Sequence, residues 1–200
     1  MTRIKLCGLM DASDIECANT LMPDYIGFVF YSKSRRYVEK ETAAELKKNL
    51  KDGIKAVGVF VDEKPETAAG YAEEGVIDII QLHGHEDSAY IEEIRKLTDK
   101  PVIQAFRIDS ADSLKAAVKS TADHILLDSG AGTGETFDWS LLKMTDRPYF
   151  LAGGLTPENV REAVKSLDPF AVDVSSGIET DGKKDHEKMK AFTEAVRSKA

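Results

Sequence analysis

Cys7, Arg36, His83 and Asp128 carry groups that could take part in catalysis. Cys7 closes the apolar stretch Ile4-Lys5-Leu6-Cys7 and precedes Gly8. A thiol can serve as a general base if a nearby cation or helix N-terminus lowers its pKa towards neutrality. A lone cysteine can equally be a small buried apolar side chain, and the residues alone leave both readings open. Cys17, in the middle of a helical pattern between apolar positions, reads as core filling. Asp128 follows Leu126-Leu127. A partly desolvated carboxyl there would have a raised pKa and suit a general acid; a solvated turn aspartate fits the pattern as well. Arg36 offers a planar fork for a carboxylate, whereas Arg35 reads as a surface residue. His83 is expected to line a site through hydrogen bonds. With His85 it forms only a loop pair without further ligands, so no metal site is expected. Asp173 reads as structural, because it lies inside the last strand, before the loop, and Trp139 as packing.

Eight short apolar runs have to position these groups: 4–7, 25–30, 56–61, 77–82, 102–106, 124–127, 149–152 and 170–174. They are rich in β-branched and aromatic residues. Their near-continuous apolarity is that of parallel strands covered on both faces. Helical patterns fall between most of them, at 13–21, 39–50, 66–74, 88–97 and 110–119, with a last one at 185–198. Ser13 or Asp11 could cap the first. Thr156-Pro157-Glu158 predicts a helix start, with Thr156 as N-cap, Pro157 in the first turn and Glu158 facing the helix dipole. The weakest helix follows the sixth run, where 137–142 allows one or two turns.

Eight strand–helix units of about 25 residues predict an α/β fold, a (β/α)8 or TIM barrel, as one catalytic domain over residues 1–200. An open doubly wound sheet fits less well, since the first strand–helix turn lacks GxGxxG. Barrel enzymes work at the C-terminal ends of their strands. There the runs end in Cys7-Gly8, Ser34-Arg35-Arg36, His83-Gly84, Arg107, Asp128, Gly153-Gly154 and Ser175-Ser176-Gly177. Gly153, Gly154, Ser175, Ser176 and Gly177 occupy the seventh and eighth loops, where barrels commonly bind phosphate through backbone N–H groups. Glycine permits the close approach. Each loop alone is ordinary; the two together point to a phosphorylated substrate.

The formal net charge of −8 argues against nucleic acid or an acidic membrane surface as partner. A small anion remains compatible with it. The N-terminal residues lack a signal peptide's apolar stretch, and no apolar run reaches the roughly 18 residues of a membrane span. Two cysteines do not suggest a disulfide framework. The expected setting is the reducing cytoplasm. The oligomeric state is not readable.

In order along nearly the whole chain, the sequence resembles the phosphoribosylanthranilate isomerases of tryptophan synthesis. The similarity lies in Lys5-Leu6-Cys7-Gly8-Leu9, Gly27-Phe28-Val29-Phe30, Val57-Gly58-Val59-Phe60-Val61 and Gln81-Leu82-His83-Gly84. It continues through Leu126-Leu127-Asp128, Gly132-Thr133-Gly134, Phe137-Asp138-Trp139 and Leu151-Ala152-Gly153-Gly154-Leu155, with Pro157-Glu158-Asn159-Val160 following. It closes with Asp173-Val174-Ser175-Ser176-Gly177-Ile178-Glu179 and Gly182-Lys183-Lys184-Asp185. The resemblance implies an Amadori rearrangement of N-(5-phosphoribosyl)anthranilate. It assigns Asp128 as the acid that opens the ribose ring and Cys7 as the base that takes the C2′ proton. It also implies that Arg36 holds the anthranilate carboxylate, that the two glycine loops hold the phosphate, and that no metal or organic cofactor is needed. The sequence departs from the family pattern at Met10, where threonine is common, and at Ser34-Arg35-Arg36, where Ser-Pro-Arg is common. Arg36 keeps the register, but loss of the proline loosens its loop.

Two alternatives are carried. The histidine-pathway isomerase runs the same rearrangement but resembles an enzyme with aspartate where Cys7 stands. A non-catalytic phosphate-binding barrel would need neither Cys7 nor Asp128.

Overall fold

The computed structural model describes residues 1–130, 139 and 141–198. Eight parallel strands close into a barrel in sequence order: β1 (Arg3–Cys7), β2 (Tyr25–Val29), β3 (Lys55–Phe60), β4 (Ile79–Leu82), β5 (Val102–Arg107), β6 (His124–Asp128), β7 (Tyr149–Ala152) and β8 (Ala171–Val174). The eight predicted runs are these strands, shifted by two residues or fewer at their ends. The last seam pairs β1 with β8, placing Ile4 beside Val172, Lys5 beside Asp173 and Leu6 beside Val174.

The strands are apolar on both faces because each face meets a different core. Ile4, Leu6, Ile26, Phe28, Phe60, Ile80, Leu82, Ile125, Leu127, Leu151 and Val172 belong to the cluster between sheet and helices. Val57, Ile79, Ile103, Leu126, Phe150 and Ala171 fill the barrel itself. The ring of Phe150 sits 5.3 Å from Tyr25 and 5.5 Å from Phe170. This plug makes the interior a packed core rather than a pore.

Seven α-helices are found among the described residues: α1 (Ala12–Leu21), α2 (Lys40–Lys48), α3 (Pro65–Glu73), α4 (Ser88–Leu97), α5 (Ala111–Val118), α6 (Val160–Leu167) and α7 (His186–Arg197). Asp11, not Ser13, caps α1: its carboxylate accepts the Asp14 N–H at 3.0 Å, and the Ser13 hydroxyl donates to Asp11 instead. After β6 the expected short helix is a 3₁₀ turn at Leu141–Met144. Thr156 starts a turn rather than the helix. Its carbonyl accepts the Val160 N–H at 3.0 Å, and α6 begins only at Val160. An antiparallel pair not foreseen from the sequence, β9 (Glu179–Thr180) and β10 (Lys183–Lys184), rises beyond β8.

At the N-terminal end of the barrel, one device recurs three times. An aspartate just before β2, β4 and β6 accepts a backbone N–H at the start of the preceding strand: Asp24 from Ile4 at 2.9 Å, Asp78 from Ala56 at 2.8 Å, and Asp123 from Val102 at 2.8 Å. Asp78 also takes the Lys47 ammonium at 2.8 Å. These carboxylates satisfy strand-end donors that would otherwise lack a partner. Asp78→Ala is therefore expected to lower the unfolding free energy by about 1–3 kcal/mol. A denaturant titration checks this, with kcat expected to stay at the wild-type value because the change lies at the end away from the site.

Candidate active site

At the C-terminal ends of the strands lies a cavity of about 600 Å³. Cys7, Arg36, His83, Asp128, Gly153, Gly154, Ser175 and Ser176, all selected from the sequence, stand on its wall. Gly177 does not. It packs against the backbone of Leu155 and Thr156, where a side chain has no room, so its part is to let loops seven and eight approach each other. Residues 131–138, including Gly132-Thr133-Gly134, lie outside the described residues.

Cys7 is the last residue of β1 and is buried. Its neighbour Gly27 on β2 leaves it room. A Cβ there would lie 2.6 Å from the Cys7 sulfur and 3.2 Å from its Cα. Two residues before Cys7, Lys5 points the same way, as strand alternation requires. Lys5 is fully buried and donates to Asp173 Oδ1 at 2.9 Å. Asp173, read from the sequence as structural, reaches the cavity wall as well. Burial pushes the Cys7 thiol above its usual pKa, and the nearby Asp173 carboxylate adds to this; Lys5 and Lys184 pull it down without cancelling the effect. The expected cations are present, but desolvation outweighs them, so the resting thiol is held protonated.

Asp128 ends β6 and is half-buried. The Gly130 N–H donates to its Oδ1 at 2.8 Å, which fixes one carboxylate oxygen. Gly153, at φ +93°, comes so close that a Cβ would stand 2.5 Å from that same oxygen. Its neighbour Gly154 also has positive φ, +63°. Gly153 therefore needs glycine both for its backbone conformation and for its close approach. Arg107, beside Asp128 in the sheet register, completes this part of the wall.

Arg36 is not free. Its Nε donates to Glu179 Oε1 at 2.6 Å and its Nη2 to Oε2 at 2.9 Å. Arg35 also reaches Glu179 Oε2, at 2.6 Å, so it is not simply a surface residue. Lys184, fully buried, donates to Glu179 Oε1 at 2.7 Å, to the Ser175 carbonyl at 3.0 Å and to the Ser175 hydroxyl at 3.3 Å. Three cations thus converge on one carboxylate, and one of them anchors Ser175. Burial works against the Glu179 charge, but Arg36 and Lys184 overcome it and bring the carboxyl down to about 2.

His83 is held by Gln81, whose Nε2 lies 3.0 Å from His83 Nδ1. The Gln81 Oε1 is buried without a hydrogen-bond partner, leaving an acceptor beside the cavity. His85 instead pairs with Asp62 at the surface. Among the described residues, no group of three or more His, Cys, Asp or Glu side chains could hold a metal ion. Sequence reading passed over Lys5, Gln81, Glu179 and Lys184 as site residues. Lys5 and Gln81 stand two positions before Cys7 and His83, and that spacing was the available signal.

A closed parallel barrel with a thiol, a carboxylate and paired glycine loops at the C-terminal rim defines a sugar-phosphate isomerase barrel. The chain belongs to the N-(5'-phosphoribosyl)anthranilate isomerase family, whose model matches residues 4–195. The N-(5'-phosphoribosyl)anthranilate isomerase of Caldanaerobacter subterraneus subsp. tengcongensis is 48% identical, over 98% of this chain and 98% of that protein. That of Endomicrobium trichonymphae is 41% identical, over 99% of this chain and 100% of that protein. The crystal structure of phosphoribosyl anthranilate isomerase from Thermotoga maritima superposes with a TM-score of 0.91 at 38% identity, covering 98% of this chain and 99% of that one. A second solved isomerase, bound to reduced 1-(o-carboxyphenylamino)-1-deoxyribulose 5-phosphate, gives a TM-score of 0.88 at 38% identity, with 98% and 99% covered.

Two outcomes follow from this geometry. Gly27→Ala should displace the Cys7 sulfur and lower kcat on the order of 100-fold, the scale of about a 1 Å misplacement; steady-state kinetics on protein of verified melting temperature measures it. Glu179 contributes stability that is fully present above an unfolded glutamate pKa of about 4.3. That contribution is lost as the pH falls towards about 2. Glu179→Gln should therefore flatten the acid limb of a stability–pH curve between those values; an unchanged limb would show that the carboxylate is not held by Arg36 and Lys184.

Proposed function

We propose that Cys7 and Asp128 act as base and acid in the rearrangement of N-(5'-phosphoribosyl)anthranilate to 1-(2-carboxyphenylamino)-1-deoxyribulose 5-phosphate. The observation that carries this reading is the convergence of Cys7, Asp128, Arg36 and the two phosphate-type loops on one cavity. Family membership supplies the reaction class, an aldose–ketose isomerisation. The phosphate lies against the backbone of Gly153-Gly154 and Ser175-Ser176, with Lys184 behind Ser175 supplying positive charge in a chain that is acidic overall. The anthranilate carboxylate meets Arg36 on the guanidinium edge that Glu179 leaves open, since two of its five N–H groups are already engaged. This also explains how the clamp survives without the family's common proline: Glu179 grips Arg36 in place of a rigid loop.

Asp128 protonates the ribose ring oxygen. The C1′–O bond breaks and the nitrogen lone pair forms the Schiff base. Cys7, which gives up its own proton to solvent as the cationic Schiff base forms beside it, then takes the C2′ proton, and the released electron pair flows to the iminium nitrogen, giving an enolamine that tautomerises to the ketone. The substrate's own nitrogen is the electron sink, so the chemistry calls on no metal or organic cofactor. The raised thiol pKa fits a base that is charged only when the site is assembled around a cationic Schiff base. We place the enzyme in the cytoplasm, as a single catalytic domain acting on a small molecule; no helix among the described residues is long and apolar enough to cross a membrane.

The decisive experiment follows the loss of phosphoribosylanthranilate fluorescence with purified protein. Cys7→Ala and Asp128→Ala should each lower kcat by at least ~100-fold, the scale of a positioned acid or base. Wild-type turnover in either variant would overturn its role. Arg36→Met should raise KM more than it lowers kcat, and an unchanged KM would remove Arg36 from the carboxylate site.

A further inference from the structure

We propose that Lys5 is a positioning residue for the Cys7 base: its buried ammonium, anchored by Asp173, holds the thiolate form of Cys7 while the C2′ proton is taken. This rests on the reading of Cys7 as the base and adds a residue to that site.

A lysine with no exposed surface inside a barrel is costly unless its charge is compensated. Asp173 compensates it at 2.9 Å across the β1–β8 seam. One carboxylate oxygen accepts only part of what a three-donor ammonium offers. The next side chain on the same face of β1 is Cys7, and the Lys5 charge favours its thiolate. The two are neighbours on one face of β1, and the four-carbon stem of lysine spans that spacing.

The charges around the sulfur single Lys5 out. From β8 comes Asp173, which opposes a thiolate. From β10 comes Lys184, already shared between Glu179 and Ser175. From the loop after β2 comes Arg36, whose Nε and Nη2 are held by Glu179. Gly27 on β2 packs against the sulfur and brings no charge. Lys5 is the cation in this set that shares a strand face with Cys7, and its charge favours the thiolate most. Asp173 keeps the ammonium protonated, and burial, which works against it, is outweighed.

In the step itself the C2′–H bond breaks and the proton goes to sulfur. The electron pair forms C1′=C2′ and neutralises the iminium nitrogen. Lys5 stays protonated throughout and transfers nothing. It thus acts on the sulfur's charge, not on the substrate.

The test titrates Cys7 by its thiolate ultraviolet absorbance, each protein read against the same protein carrying Cys7→Ser. Lys5→Met alone would leave Asp173 an unpaired buried charge, so the main variant is Lys5→Met/Asp173→Asn, which removes both charges together. It should move the Cys7 titration and the rising limb of the kcat–pH profile upward by about one unit. That is a tenfold loss of thiolate at neutral pH, with KM nearly unchanged. Lys5→Gln alone, whose amide can still donate to Asp173, should move the titration further upward, because the Asp173 carboxylate then acts on the sulfur unopposed; this arm decides the matter if the double variant does not fold. A titration that stays put in the folded variants, or a change in KM alone, overturns the proposal. The spectroscopic readout does not depend on turnover. If Cys7→Ala kept wild-type activity while the titration still shifted, the base assignment would fall and the Lys5–Cys7 coupling would stand.

Discussion

The Lys5–Asp173 ion pair is the constraint on which this barrel's working end depends. Every other seam is closed mainly by apolar side chains, which tolerate small shifts. The β1–β8 seam holds a buried ammonium that must meet a carboxylate. Breaking such a pair costs about 3–5 kcal/mol, so the last strand has to arrive with Asp173 opposite Lys5. Two residues further along each strand, that register places Cys7 on β1 and Ser175 beyond β8. The thiol and the anion-type loop are thereby set relative to each other by a single electrostatic match.

A second network ties down the other side of the cavity. Glu179, from a two-residue strand that packs no large core, binds Arg35, Arg36 and Lys184 at once. The carboxylate resolves a conflict in the chain's charge. A protein of net charge −8 has to present a local cationic edge to an anionic substrate without letting buried cations repel one another. One shared carboxylate gathers them, and Arg36 and Lys184 in turn hold its pKa down.

Glycine has two separate uses here. Gly27 gives up its side chain so that the Cys7 sulfur can sit against β2, and Gly153 does so in order to lie beside Asp128. Both glycines were visible in the sequence, but only Gly153, in a loop doublet, looked functional. Gly27 stands inside an apolar strand, where nothing local distinguishes it from a packing residue. Gly177, selected as a phosphate residue, lies off the cavity wall and packs against the backbone of Leu155 and Thr156.

The sequence by itself determined the eight strands, their order and the rim on which the chemistry stands. Strand and helix patterns are local, and a parallel strand buried on both faces is written as a continuous apolar run. It also determined that Cys7, Arg36, His83 and Asp128 share that rim, because each lies at or just beyond the end of a strand. Tertiary structure alone decided what surrounds them. Asp173 was read as structural, but its partner was not legible: the closing seam brings it within 2.9 Å of Lys5, 168 residues away in sequence. Glu179 and Lys184 lie in segments that carry the family resemblance, but nothing local marked them as partners, since a carboxylate's partners are chosen by the fold. Whether Cys7 is a protonated thiol or a thiolate was likewise beyond the sequence, because that balance sets burial against charges contributed by elements far apart along the chain.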